Sequence, residues 1–122
     1  MSMKFSSDHV WIESKDGITR IGITEHAQDA LGDIVFVELP QAGKSFAKGE
    51  VVAVIESVKA AADVFSPASI KVLKINPLLK DDPALANSDP LASGWLLEVE
   101  LSVPSELDSL MDLSPYLEFC KS

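Results

Sequence analysis

A mainly β domain with small peripheral helices is the fold class this sequence predicts, and three features predict it. Short apolar or alternating runs recur along the chain, several of them ended at or near a proline. Helical spacing of apolar residues is confined to a few short pieces. Hydrophobic residues make up 47 % of the 122 positions, enough for a packed core, and a chain near this size buries roughly two thirds of its unfolded surface. One domain, 1–122, is expected, since a domain typically runs to roughly 100–200 residues.

Residues 18–24 (ITRIGIT) alternate apolar with small or polar side chains, as a half-buried strand does. Thr24 then caps a short helix through Leu31, and Gly32 supplies a left-handed stop. Residues 34–39 form a second strand, ended by Pro40. Residues 50–56 are nearly all apolar, the pattern of a strand sandwiched on both faces. Residues 62–66 resume as a strand and break at Pro67; residues 70–75 and 95–101 complete the set. In the last of these, Leu97, Val99 and Leu101 face one way and Glu98 and Glu100 the other. Asp82-Pro83 opens a short helical turn to about Asn87, with Asp81 and Asp82 read as cap residues. Residues 104–111 carry Leu107, Leu110 and Met111 at helical spacing, and Ser114-Pro115 opens a final helix with Leu117 and Cys120.

Charge limits the partners. Ten basic residues against 19 acidic ones give a net charge of −9. Such a surface repels a polyanion, so no nucleic acid is expected as partner; basic faces of other proteins are better candidates, although on composition alone such a charge need only keep a protein soluble. No apolar run approaches the ~18–20 residues that span a bilayer. The segment Met1-Ser2-Met3-Lys4-Phe5 has neither the apolar stretch of a secretory signal nor the Arg-rich character of a transit peptide. A lone cysteine, Cys120, has no partner for an internal disulfide, which suits a reducing compartment. No long apolar helix face argues for an obligate assembly, so a monomer is expected.

Catalytic constellations are hard to find. His9, His26 and Cys120 are too few for a metal site of three or four good ligands. Both histidines therefore read as structural or exposed, and Cys120 as packing. Gly43-Lys44-Ser45 resembles the end of a phosphate-binding loop, but Glu38 stands where the first glycine belongs and a strand follows in place of a helix. No carboxylate pair is visibly isolated in an apolar pocket, and Trp11 and Trp95 read as core or interface anchors.

One segment remains, Glu56-Ser57-Val58-Lys59-Ala60-Ala61-Ala62-Asp63. Strands of similar length flank it, which places Lys59 near a hairpin tip. A lysine there ordinarily serves solubility and guards a sheet edge. Here Val58, Ala60, Ala61 and Ala62 leave the amine sterically open, while Glu56 and Asp63 frame it with negative charge. A lysine amine, with an ordinary pKa near ~10.4, is protonated at neutral pH, so an enzyme acylating it must dock the tip and remove a proton.

These residues, in this order, resemble the glycine cleavage system H protein family of lipoyl carriers. The resemblance spans nearly the whole chain: His9-Val10-Trp11, Ile21-Gly22-Ile23-Thr24, Gly32-Asp33-Ile34-Val35, Val37-Glu38-Leu39-Pro40, Glu56-Ser57-Val58-Lys59-Ala60, Ser66-Pro67, Asn76, Asn87, Gly94-Trp95 and Pro104-Ser105-Glu106-Leu107. It implies a barrel-sandwich hybrid of the lipoyl/biotinyl-carrier type, with no catalytic residue of its own. It implies lipoate joined to Lys59 by a lipoate ligase or an octanoyl/lipoyl transferase, which would read the tip through Glu56, Ser57, Val58, Ala60 and Asp63. The arm would carry the aminomethyl group of glycine from the pyridoxal-phosphate glycine decarboxylase to the aminomethyltransferase, and dihydrolipoamide dehydrogenase would reoxidise it. Location follows as the bacterial cytoplasm, or the mitochondrial matrix if a transit peptide has been removed. Two positions depart from the family pattern. Val10 replaces an acid that helps hold the loaded arm in a surface cleft, although Asp63 is retained. Ile70 replaces a glycine, which implies a different turn, because a β-branched residue resists positive φ.

Three other readings compete. An H-like protein could relay lipoate to 2-oxoacid dehydrogenases; a biotin carrier would show Met-Lys-Met where Val58-Lys59-Ala60 stands; and an unmodified interaction module would need no acylation.

Overall fold

The computed structural model describes residues 2–121. Nine strands and four short α-helices follow in the order β1 (Ser2–Phe5), β2 (Val10–Lys15), β3 (Ile18–Ile23), α1 (Glu25–Leu31), β4 (Ile34–Glu38), β5 (Ser45–Phe46), β6 (Val51–Ser57), β7 (Ala61–Phe65), β8 (Ile70–Ile75), α2 (Leu78–Asp81), α3 (Leu85–Ser88), β9 (Leu97–Leu101) and α4 (Leu113–Cys120). A six-stranded sheet has the order β1-β2-β3-β9-β8-β5, and a three-stranded sheet the order β4-β6-β7. Every described pairing is antiparallel. Alternate side chains of both sheets, among them Ile12, Ile21, Ile55, Val64, Val72 and Leu97, meet in one main core. This is the barrel-sandwich arrangement of a mainly β chain.

The hairpin β2–β3 turns through Asp16 and Gly17, with φ of 54° and 80°. Positive φ at both central residues is what a two-residue hairpin loop demands, and Asp-Gly supplies it. Strands β1 and β2 are not among those expected from the sequence. Phe5, Val10, Trp11 and Ile12 are all buried there, and Trp11 lays its ring over Gly22 and donates from Nε1 to the Pro90 carbonyl at 2.9 Å.

Helix α1 forms as expected. The Thr24 hydroxyl accepts from the Ala27 N–H at 3.3 Å, and Gly32 ends the helix with its N–H on the Gln28 carbonyl. Gly32 is not left-handed helical, however: φ 77° and ψ −150° lie in a region open essentially to glycine alone.

Several boundaries and faces differ from expectation. Central strand β6 is less buried than expected: Val52, Ala53 and Ile55 enter the core, but Val51 and Glu56 are exposed and Val54 half-buried. Asp82 does not cap a helix to its C-terminal side; it ends α2, and the following turn starts at Leu85 with no side-chain cap. Residues Pro104–Ser109 are 3-10 helical. The last helix starts at Leu113, with Asp112 at its N-cap position, and it buries Tyr116 while Leu117 is exposed. Tyr116, Phe5 and Trp11 form a second, smaller core, against which Cys120 packs. Ile70 opens β8 fully buried and is not among the positive-φ residues, so the expected change of turn does not arise from strain at that position. Among the described residues, no helix is long and apolar enough to cross a membrane.

Candidate functional site

Strands β6 and β7 meet in a four-residue turn, Ser57-Val58-Lys59-Ala60. The Ser57 N–H donates to the Ala60 carbonyl at 2.8 Å. Its hydroxyl accepts from the N–H groups of Lys59 and Ala60, both at 3.2 Å, and lies 3.1 Å from the Ala60 carbonyl. One serine thus satisfies the backbone of the tip from inside. No residue of the turn has positive φ, so all three positions after Ser57 carry side chains. Val58 is 67 % exposed, and Lys59 and Ala60 are exposed too.

A second layer holds the turn from outside. The Val58 N–H donates to the Asp33 carbonyl at 3.0 Å. Asp33 is fixed in turn by Asn87, whose Oδ1 accepts from Ile34 N–H at 2.8 Å and whose Nδ2 donates to the Gly32 carbonyl at 2.7 Å and to Gln28 Oε1 at 3.0 Å. The Lys59 stem lies across Gly32: a β-carbon built there would stand 2.9 Å from Lys59 Cε and 3.5 Å from Nζ. Lys59 Nζ forms no hydrogen bond or ion pair among the described residues. The amine is therefore open to chemistry on a backbone that is held still.

Of the residues expected to surround Lys59, Glu56 and Asp63 are exposed on opposite arms of the hairpin, in β6 and β7. A cavity of about 180 Å³ opens beside the β7 arm. Val10, Ile23, Leu31, Ile55 and Val64 give it an apolar wall; Asp63 and Asp8 supply carboxylates, and His9 borders it. Val10, where the family pattern has an acid, is buried in this wall. From the sequence Gly32 is expected only as a helix stop, Asp33 and Asn87 only within the family resemblance and at the end of a turn, and Asp8 in no role; none is expected to support the tip. Asp8 lies two residues before Val10 and offered a signal; the Asn87 contacts, 53 to 59 residues distant along the chain, offered none.

His9 adopts φ 64° and shares a hydrogen bond of 2.8 Å between Nδ1 and the Tyr116 hydroxyl. That hydroxyl also bonds Thr24 Oγ1 at 2.6 Å, and the His26 ring stacks on His9 with centroids 4.3 Å apart. Burial, with His26 adding to it, lowers the His9 pKa, and Asp8 opposes the shift. Burial raises the Tyr116 pKa, so it stays a neutral donor. His9 is thus structural, tying α4 to the rim of the cavity, and the exposed His26 stacks on it. Among the described residues, no group of three or more potential ligands could hold a metal ion.

The family model described as glycine cleavage H-protein matches residues 3–122. A glycine cleavage system H protein of Thermotoga maritima is 49 % identical over 117 residues, covering 96 % of this chain and 94 % of that protein. A mitochondrial one from Flaveria pringlei is 45 % identical over 119 residues, covering 98 % and 74 %. A crystal structure of a glycine cleavage system H protein from Mycobacterium marinum superposes with a TM-score of 0.86 at 36 % identity, covering 96 % of this chain and 94 % of that one.

Proposed function

The chain belongs to the glycine cleavage H-protein family, and from that premise we propose that Lys59 is the residue whose amine takes the lipoyl group. The family is the non-catalytic carrier subunit of the glycine cleavage system and carries lipoate, and this chain is a lipoyl carrier of that system. One observation supports Lys59 above all: an unpartnered amine at the head of a turn fixed by Ser57 within and by Asp33 and Asn87 without. When attached, lipoate supplies the redox-active dithiolane that takes the aminomethyl group of glycine. The protein supplies the tether, which can raise a reactant's local concentration into the mM range.

This chain's residues divide the remaining work. Gly32 gives the lysine stem a floor without a side chain. Ser57 and Asp33 keep the tip in one shape for the enzyme that acylates it, a lipoate ligase or an octanoyl/lipoyl transferase. Glycine decarboxylase, the aminomethyltransferase and dihydrolipoamide dehydrogenase are then visited by the arm. The cavity beside β7 suits an apolar chain ending in an ammonium, with Asp63 and Asp8 to hold the charge. Val10 favours a second reading, in which the chain relays lipoate to 2-oxoacid dehydrogenases. Asp8 weighs against it, because it restores to the rim the carboxylate that Val10 lacks. A reducing compartment, bacterial cytoplasm or mitochondrial matrix, suits the unpaired Cys120.

Intact-mass measurement after incubation with a lipoate ligase, lipoate and ATP tests the assignment. One lipoyl mass should be gained by the wild type and none by Lys59→Arg, which keeps the charge and the fold. Acylation also removes one of the ten basic charges, so native electrophoretic mobility should shift. A mass gain that survives Lys59→Arg would refute the assignment. Label from glycine, loaded by glycine decarboxylase, then separates the two readings: it should reach the wild type and fall in Asp8→Asn and Asp63→Asn.

A further inference from the structure

We propose that the outer face of β4 and the groove beneath it form the docking surface for the enzyme that acylates Lys59. This rests on Lys59 being the attachment site. Strand β4 is the edge of the three-stranded sheet and pairs with β6, the arm that leads to the tip. Ile34 and Val37 both point into the core. With three residues from one to the other, strict alternation cannot put both inside. The ladder resolves this with a bulge: Ile34 faces Ser57 and Phe36 faces Glu56, leaving Val35 as the extra residue. Val35 and Phe36 are consequently both turned to solvent, 56 % and 51 % exposed. Without the bulge Phe36 would share the core side with Ile34. Bulges of this kind re-aim side chains and gather near functional sites.

Phe36 also lines a mainly apolar groove of about 350 Å³, walled on the far side by Ile75, Pro77 and Lys80. Continuity with the tip is direct. The Val58 N–H is bonded to Asp33, the residue before β4, so the tip is fastened to the start of the strand that carries exposed Val35 and Phe36. An apolar edge strand left bare is an aggregation hazard that proteins ordinarily blunt with charge or cover. Here Asn87 covers the start of the edge at Ile34, while Val35 and Phe36 stay exposed beside the tip.

The acylating enzyme is the occupant because it alone meets the carrier before any arm exists. Enzymes acting on the loaded carrier can draw affinity from the arm and its cargo. The acylating enzyme must take its affinity from the folded surface around the amine. On the groove Glu38 faces an opposite charge in Lys80, and Glu56 opposite Phe36 tips the surroundings of the strand negative, in a chain of net charge −9. The matching surface is an apolar protrusion flanked by basic residues, with binding that weakens as salt rises.

The test uses the whole chain, in its unmodified form, with a lipoate ligase. Calorimetry measures binding to wild type, Phe36→Ser and Leu117→Ser, the last an equally exposed apolar residue on α4. Phe36→Ser should bind roughly tenfold more weakly and raise KM for the carrier by a similar factor, with kcat unchanged. Leu117→Ser should match wild type. Ile75→Thr, on the far wall, should weaken binding in the same sense and serves if Phe36→Ser does not fold. Wild-type affinity and KM in both groove variants would overturn the proposal while leaving Lys59 acylated, whereas a wild type that gains no lipoyl mass defeats the attachment reading instead. A wild-type dimer abolished by Phe36→Ser would show that a second copy covers the groove and would also overturn it.

Discussion

Two hairpins of this chain hold a lysine at or beside the turn, and they are built differently. At β2–β3, Lys15 pairs with Ile18 across Asp16 and Gly17, and positive φ at both turn residues closes the loop locally. Nothing stands within 4 Å of a β-carbon placed on Gly17. At β6–β7 there is no glycine and no positive φ; the turn is closed by the Ser57 hydroxyl and fastened to Asp33, which Asn87 fixes from α3. The first hairpin needs only its own sequence to turn. The second draws on residues from three other segments. Exposure of a lysine is common and says little; support converging on an exposed lysine from distant parts of the chain is what marks Lys59.

Removing the outer support should produce the largest change. Asn87→Ala leaves Ile34 N–H and the Gly32 carbonyl without their partner, so stability should fall by about 2 kcal/mol. Amide exchange at Val58 should quicken with it, and the acylation rate should drop several-fold; an unchanged rate with faster exchange would mean the support serves stability alone. Gly17→Ala makes the opposite case. Placing a β-carbon at φ 80° should cost about 1–2 kcal/mol in a denaturant melt, yet acylation of Lys59 should stay at the wild-type rate. If it slows, the two hairpins are not independent.

Ser57→Ala should be milder in stability, about 0.5–1 kcal/mol, because the tip is open to water that replaces the hydroxyl. Its signature is local: faster exchange at the Lys59 and Ala60 amides, and a higher KM for the acylating enzyme. Acid should give the smallest effect. The His9 pKa is lowered in the fold, so below about pH 6.5 the unfolded chain binds the extra proton first. Stability is therefore whole above that pH and declines as pH falls toward the lowered value. The melting temperature should drop between pH 7 and 5, and His9→Gln should flatten the profile; ring resonances of His9 and β2–β3 amides, followed together, would show whether the Asp16-Gly17 turn stays unaffected.

Much of this was legible in the residues. Thr24 before an amphipathic stretch and Gly32 after it gave α1, and Glu56 to Asp63 between two apolar runs gave the hairpin and its lysine. Strands β1 and β2 went unread although Asp16-Gly17 is a strong turn signal, because the polar half of β2, Glu13 to Lys15, masks the buried Val10, Trp11 and Ile12. Position 70 misled for another reason. A glycine-to-isoleucine change was weighed as a turn residue, whereas Ile70 enters a strand and fills the core. The Asn87 and Asp33 supports leave no local pattern, since an amide or a carbonyl makes its bonds wherever the fold brings it. The β4 bulge is the exception that a careful count could have found, for residues 34 to 37 are apolar without alternation.

Gly32 has one more effect, on motion. Because Lys59 begins its course resting against bare main chain, whatever is joined to its nitrogen leaves the surface in a preferred direction. A group rooted this way would be barred on the side of Gly32 and would sweep a sector and not a full hemisphere. A side chain at position 32 would push Lys59 Cε aside and strain a backbone that φ 77° and ψ −150° reserve for glycine, so the direction of the stem depends on the bare main chain beneath it.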